Sequence, residues 1–177
     1  DVFAEIGPAP TAPVNVHQAI DRARKVLETS GAFEGLRIVE AYDPSLPAVR
    51  GDFEGLVQIF LNLMKNAADA ALEGGREVVL KTRYRHGVRL AAAKRHDSGA
   101  LPIEVLIQDN GPGIPEDLQR NIFDPFVSTK ADGHGLGLAV VAKIVGDHGG
   151  AVEFESEPRR TVFTVHLPMF VDAEIRP

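Results

Sequence analysis

Val78-Val79-Leu80-Lys81-Thr82-Arg83-Tyr84 and Ile103-Glu104-Val105-Leu106-Ile107-Gln108 decide the fold. Both runs are rich in β-branched and aliphatic residues, bounded by polar stretches, and read as strands of one sheet. The polar and basic excursion between them reads as a long hairpin, so the two strands are predicted to be neighbours. Upstream, Asp52 can cap a long helix running to about Leu72, where Gly74-Gly75 ends it. Before that, Val16, Ala19, Ile20, Ala23, Val26 and Leu27 form an i, i+3, i+4 stripe from Asn15 that stops before Gly31. Leu36 to Tyr42 reads as a strand closed by Asp43-Pro44-Ser45-Leu46-Pro47. Downstream lie a glycine-rich region from Asp109 to Gly137 with a short helix near Glu116–Asn121, a helix from Leu138 to His148, and a final hairpin, Ala151–Ser156 with Thr161–Leu167. Helices and paired strands without regular βαβ alternation imply an α+β two-layer sandwich.

The 177 residues (19.1 kDa) suffice for one domain, with 44% hydrophobic and 25% charged residues, the balance of a soluble globular chain. A net charge of −6 has the wrong sign for binding nucleic-acid phosphates. There is no cysteine, which excludes disulfides, thiolate zinc sites and a cysteine nucleophile and fits a cytoplasmic protein. No apolar run is long enough for a transmembrane helix, so no membrane partner is expected. Residues 1–13, ending in Gly7-Pro8-Ala9-Pro10-Thr11-Ala12-Pro13, read as a linker from a missing part; residues 14–168 form the domain and 169–177 a tail.

Three features carry chemistry. On the Asp52–Leu72 helix, Asn62, Lys65, Asn66 and Asp69 project from one side, while Ile59, Leu63, Ala67 and Ala70 project from another. The periodicity by itself fits an ordinary solvated face; asparagine is a poor helix former, however, and two of them one turn apart also suit a hard-oxygen Mg²⁺ site. Next, Asp109-Asn110-Gly111-Pro112-Gly113-Ile114 follows a strand directly. A carboxylate there accepts a hydrogen bond from adenine's exocyclic amine and disfavours guanine's carbonyl, while Gly111 and Gly113 let backbone approach a flat ring. Third, Ser128-Thr129-Lys130-Ala131-Asp132-Gly133-His134-Gly135-Leu136-Gly137-Leu138 runs into a helix start, where backbone amides and Lys130 favour phosphate. It is not a Walker A loop, and it does not spell G-x-G-x-x-G.

In this order and spacing the features resemble the ATP-binding domain of the histidine-kinase, gyrase and heat-shock chaperone superfamily. Asn62–Ala70 is similar to its N box, Asp109–Ile114 to the first glycine box, Asn121–Lys130 to the phenylalanine box, and Gly133–Leu138 to the second glycine box. Val14-Asn15-Val16-His17, Tyr42-Asp43-Pro44-Ser45-Leu46-Pro47 and Phe123-Asp124-Pro125-Phe126 resemble the nitrogen-regulation branch of the sensor histidine kinases, over roughly residues 14 to 168. The resemblance implies a Bergerat-type fold, a mixed and mostly antiparallel sheet covered on one face by helices. It also implies an Mg·ATP site with Asn66 on the metal, Asp109 on the adenine amine, and Lys130, Gly135 and Gly137 on the phosphates under a lid. Catalytic roles carry over to Asn62, Lys65, Asn66 and Lys130. Nucleotide contact carries over to Asn66, Asp69, Asp109, Gly111, Gly113, Ile114, Phe123, Thr129, Lys130, Gly133, His134, Gly135, Leu136, Gly137 and Leu138. His134 stands where the family has Thr or Ser, and phosphate binding by backbone does not need its side chain. Phe123 and Phe126 are expected to pack the base of the lid.

Asn62 stands where gyrase-like ATPases have a catalytic Glu, and an amide cannot act as that base. This favours a kinase over a gyrase-type ATPase fragment. None of the six histidines, His17, His86, His96, His134, His148 and His166, lies in the family's His-Glu-x-x-Asn-Pro setting, so the phosphoacceptor is expected on a separate helical dimerisation domain. His17 reads as a surface residue. The implied partners are that domain, a response regulator and a PII signal protein, with this chain itself a monomer. An alternative reading is a nucleotide-gated docking module whose basic segment Lys81–Ala100 engages the regulator. Arg159-Arg160 replaces a glycine usual before the last strand, so the final turn is expected to differ.

Overall fold

The structure is a computed structural model and describes residues 10–85, 100–125, 127 and 137–172. In chain order the elements are β1 (Ala12–Val14), α1 (Val16–Thr29), β2 (Arg37–Ala41), β3 (Val49–Gly51), α2 (Phe53–Leu72), β4 (Glu77–Tyr84), β5 (Ile103–Asp109), α3 (Glu116–Gln119), α4 (Gly137–Asp147), β6 (Ala151–Glu157) and β7 (Arg160–Leu167). Five strands form one sheet in the order β2-β4-β5-β7-β6, with β2 and β4 parallel and the other pairs antiparallel. Helices α1, α2 and α4 cover one face. The expected α+β sandwich with a mixed, mostly antiparallel sheet is therefore what forms.

The period of two along each strand sets which face is covered. Val78 and Leu80 of β4, Ile103, Val105 and Ile107 of β5, and Phe163, Val165 and Leu167 of β7 point into the core with Leu56, Ile59, Phe60, Leu63 and Met64 of α2. On the opposite face Glu104, 1% exposed, receives Arg83 Nε at 2.5 Å and lies 3.4 Å from His166 Nδ1, and His166 Nε2 is 2.8 Å from Glu153. Asn15 caps α1 by accepting from the His17 amide, and Asp52 caps α2 by accepting from the Gly55 amide at 2.8 Å.

Two short strands were not anticipated. β1 pairs with β3 antiparallel, and Val49 of β3 also bridges Met169, so the chain entering the domain and the chain leaving it meet at β3. Pro13 sits within β1, where an edge strand tolerates a residue lacking an amide hydrogen. His17, expected at the surface, is half-buried: Nε2 lies 2.8 Å from Thr82 Oγ1, and the ring stacks on Tyr42 at 5.0 Å. Burial holds its pKa below the usual histidine value, against the opposing pull of Asp43 and Glu40. The final turn is Pro158-Arg159, with Arg159 at φ +70°, the left-handed conformation glycine favours. The basic excursion lies outside the described residues from 86 to 99.

Candidate functional site

Three segments converge at the C-terminal end of β5. The strand delivers Asp109, 2% exposed, on the face turned toward the helices. Its Oδ1 accepts from the Gly111 amide at 2.9 Å, which fixes the carboxylate relative to the turn that follows. That turn lies hard against α2: a Cβ on Gly111 would sit 2.4 Å from the Ala70 carbonyl oxygen. Gly113 has φ +90°, and a Cβ there would meet the Glu157 carbonyl at 2.9 Å. The two glycines are thus required by backbone contact with α2 and with the β6–β7 turn. Asn110 turns outward: its Oδ1 accepts from the Glu77 amide at 2.9 Å and its carbonyl from Gly75.

The helix that this turn packs on, α2, also carries Asn62, Lys65, Asn66 and Asp69. Lys65 and Asp69 form an i, i+4 ion pair at 3.2 Å with the lysine exposed. Asn62 accepts from Gln58 Nε2 at 2.6 Å and donates through Nδ2 to the carbonyl of Gly137 at 3.1 Å. The first turn of α4 is thereby tied to α2. Asn66 and Asp69 are half-buried and also engaged. Ile114 is held from behind, its amide donating to Ser156 Oγ at 2.8 Å, with Ser156 Oγ 2.7 Å from Thr161 Oγ1. Phe123 packs edge-on against Phe154 and Phe163 at 6.0 and 6.2 Å, while the segment expected to form the lid lies outside the described residues. Thr129, Lys130, Gly133, His134, Gly135 and Leu136, together with Phe126, lie outside the described residues; Gly137 and Leu138 open α4.

A cavity of about 570 Å³ opens on the outer side of the same turn, lined by Gly74, Gly75, Asn110, Gly111, Pro112, Pro158 and Arg159. Asp109, Asn62 and Asn66 do not line it. Among the described residues no group of three or more His, Asp or Glu side chains is placed to hold a metal ion. No helix among them is long and apolar enough to cross a membrane.

The buried strand-end carboxylate, the glycine turn packed on a helix and the amide row on that helix all fall within residues 51–170, which match the family described as histidine kinase-, DNA gyrase B-, and HSP90-like ATPase. The chain belongs to that family. Among curated proteins it is 54% identical over 175 residues to the sensory histidine kinase/phosphatase NtrB of Azospirillum brasilense, covering 99% of this chain and 44% of that protein. The NtrB of Rhizobium leguminosarum is 48% identical over 178 residues, 99% of this chain and 46% of that protein. The chain therefore spans less than half the length of these relatives. Among solved structures, full-length ShkA in complex with AMPPNP aligns with a TM-score of 0.73 at 27% identity, over 96% of this chain and 33% of that one. The nucleotide-free catalytic domain of histidine kinase ThkA aligns with a TM-score of 0.72 at 25% identity, over 90% of this chain and 95% of that one. The Bergerat-type architecture and the likeness to nitrogen-regulation kinases hold as expected.

The sequence reading missed Thr161, which is Asp109's register partner on β7 and is 3% exposed beside it. A signal was present: Thr161 is the polar member of the inward set Thr161, Phe163, Val165, Leu167. Gln58 and Ser156 carried no such signal, because each matters only through a partner brought in by the fold.

Proposed function

We propose that this chain is the catalytic and ATP-binding part of a sensor histidine kinase, binding Mg·ATP and giving the γ-phosphoryl group to a histidine on a separate helical domain. The observation that carries the reading is Asp109, buried at the end of β5, with its carboxylate fixed by the Gly111 amide in a turn that packs on Ala70 of α2, the helix that also carries Asn62 and Asn66. A carboxylate only accepts, so it takes the exocyclic amine of adenine and repels the carbonyl that guanine or hypoxanthine offers. Asn66 would hold Mg²⁺ through its hard amide oxygen. When bound, the ion would supply positive charge to offset that of the phosphates. The backbone of Gly135 and Gly137, with Lys130, binds the phosphates, Asp69 supports the polar wall, and Lys65 faces the same side.

Transfer then consists of positioning and charge stabilisation. The acceptor imidazole nitrogen forms a bond to the γ-phosphorus as the bond to the β–γ bridging oxygen breaks, and ADP leaves with that electron pair. Asn62 cannot take a proton from water, which disfavours steady hydrolysis. The phosphoryl group passes on to an aspartate of a response regulator. Control by a PII signal protein, a cytoplasmic location and a monomeric state of this domain follow the resemblance to the nitrogen-regulation kinases.

The test is transfer from γ-labelled Mg·ATP by the purified chain to a separately made acceptor-helix fragment carrying the family's histidine. Acid-labile label on the fragment, absent with Asn66→Ala, is the expected result. Multiple turnovers of ATP hydrolysis without any acceptor would instead establish a gyrase-type ATPase. For the regulator, charge reversal at Arg85, Arg89 and Arg95 is expected to weaken PII binding at low salt; unchanged affinity would leave that segment without a docking role.

A further inference from the structure

We propose that Gln58 is a positioning residue for the phosphate end of the nucleotide site, acting through Asn62 on the first turn of α4. The inference rests on the nucleotide reading above. Gln58 lies one turn before Asn62 on α2, is exposed, and sits on the far side of Asn62 from Asn66. Its Nε2 donates to Asn62 Oδ1 at 2.6 Å, and Asn62 Nδ2 donates to the Gly137 carbonyl at 3.1 Å.

The two bonds fix each other. The Gly137 carbonyl only accepts, so the Asn62 amide presents its NH₂ group there and its oxygen to Gln58, whose NH₂ group supplies the donor that holds this orientation; the flipped Asn62 amide would set oxygen against oxygen at Gly137. That carbonyl has two lone pairs, so it accepts from Asn62 and still serves the helix. The tie matters because Gly137 is exposed and a Cβ built on it would meet none of the described residues within 4 Å, so among them the Asn62 bond is what anchors this position. Asn62 thereby sets where the first amides of α4 stand relative to Asn66, one turn further along α2. The phosphate-facing helix start and the metal-facing amide are registered through one side chain, and Gln58 holds that side chain in the orientation the Gly137 carbonyl requires.

Three substitutions separate hydrogen-bond chemistry from bulk and charge, and all four residues concerned are good helix formers, so α2 is preserved. Gln58→Glu places an acceptor against Asn62, forces the amide to flip and opposes two oxygens at Gly137. Gln58→Ala removes the orienting bond without opposing it. Gln58→Lys keeps a donor while reversing the charge of Glu. Hydrogen exchange of the free chain is the first readout: amides of residues 138–142 are expected to exchange about fivefold faster in Gln58→Glu and at the wild-type rate in Gln58→Lys, with Ala between. The second is a ligand split: Gln58→Glu weakens ATP about fivefold while adenosine, which lacks phosphates, binds within about twofold of wild type.

Wild-type exchange in Gln58→Glu, equal exchange in the Glu and Lys variants, or equal loss of ATP and adenosine would each overturn the assignment. Asp109→Asn distinguishes this failure from failure of the nucleotide reading, since it acts at the adenine end and weakens both ligands. If it weakens neither, the nucleotide reading falls and the ligand split falls with it, while the exchange experiment still decides the tie between Gln58, Asn62 and α4.

Discussion

Replacing Asp109 with Asn tests the adenine pocket with the smallest change available. The side chain is 2% exposed, and its Oδ1 accepts from the Gly111 amide at 2.9 Å. An Asn at this position satisfies Gly111 only by pointing its own oxygen there, which turns its NH₂ toward the nucleotide. Against ATP, a charged acceptor is then exchanged for a donor facing a donor. A hydrogen bond to a charged group contributes about 1.5–3 kcal/mol, so ATP affinity is expected to fall by roughly ten- to a hundredfold or more. Inosine triphosphate carries a carbonyl where adenine has the amine, so the same change converts two opposed acceptors into a bonded pair and raises its affinity. Calorimetric titration of both nucleotides against both proteins measures the swap, with the melting temperature checking that the fold is retained. Equal ATP affinity in the two proteins, or a loss for ATP without any gain for inosine triphosphate, would refute the assignment of Asp109 to the base.

Stability is expected to fall as pH drops below about 6.5, the usual histidine value, because the unfolded chain takes up a proton that half-buried His17 resists until its own lower pKa is reached. His17→Gln should flatten that part of a urea-denaturation profile, and an unchanged slope would show that other groups govern it. Arg159→Gly relieves a left-handed backbone and is expected to gain about 0.5–1 kcal/mol, offset in part by glycine's unfolded-state entropy, seen as a melting point higher by roughly 1–4 °C. His148, 3% exposed, accepts from the Asp52 amide at 3.0 Å and lies 2.8 Å from the Ile144 carbonyl, joining the end of α4 to the start of α2. His148→Ala opens a cavity there and leaves the Asp52 amide unpaired, at a cost of about 2–4 kcal/mol in chemical denaturation; a loss below about 0.5 kcal/mol would show the joint to be dispensable.

The long elements were legible in the sequence because their periodicity is local. The α2 boundaries follow from Asp52 and the glycine pair after Leu72, and α1 from its apolar stripe and the Asn15 cap. β4, β5 and β7 follow from alternation that must bury one face. The polar row of α2 and the Asp109 turn were legible too, since an unusual asparagine pair and a strand-end carboxylate are visible without a partner. β1 and β3 were not, because three-residue strands carry too little pattern to stand out and exist only by pairing with each other and with Met169.

What the tertiary structure alone decided are the relations between distant residues. Gly111 looks like a turn glycine in sequence, yet the approach of the Ala70 carbonyl makes its missing Cβ obligatory. His17 looks like a surface residue until β4 brings Thr82 to its ring and Tyr42 lies against it. Asn62 was legible as a polar candidate, but its orientation depends on Gln58 below it and on Gly137, which is 75 positions away. Local sequence sets which residues are helical, extended or turned, because backbone preferences and capping act over a few residues. Which amide points where is set by hydrogen bonds closed across the fold, and those form only once the helices have packed on the sheet.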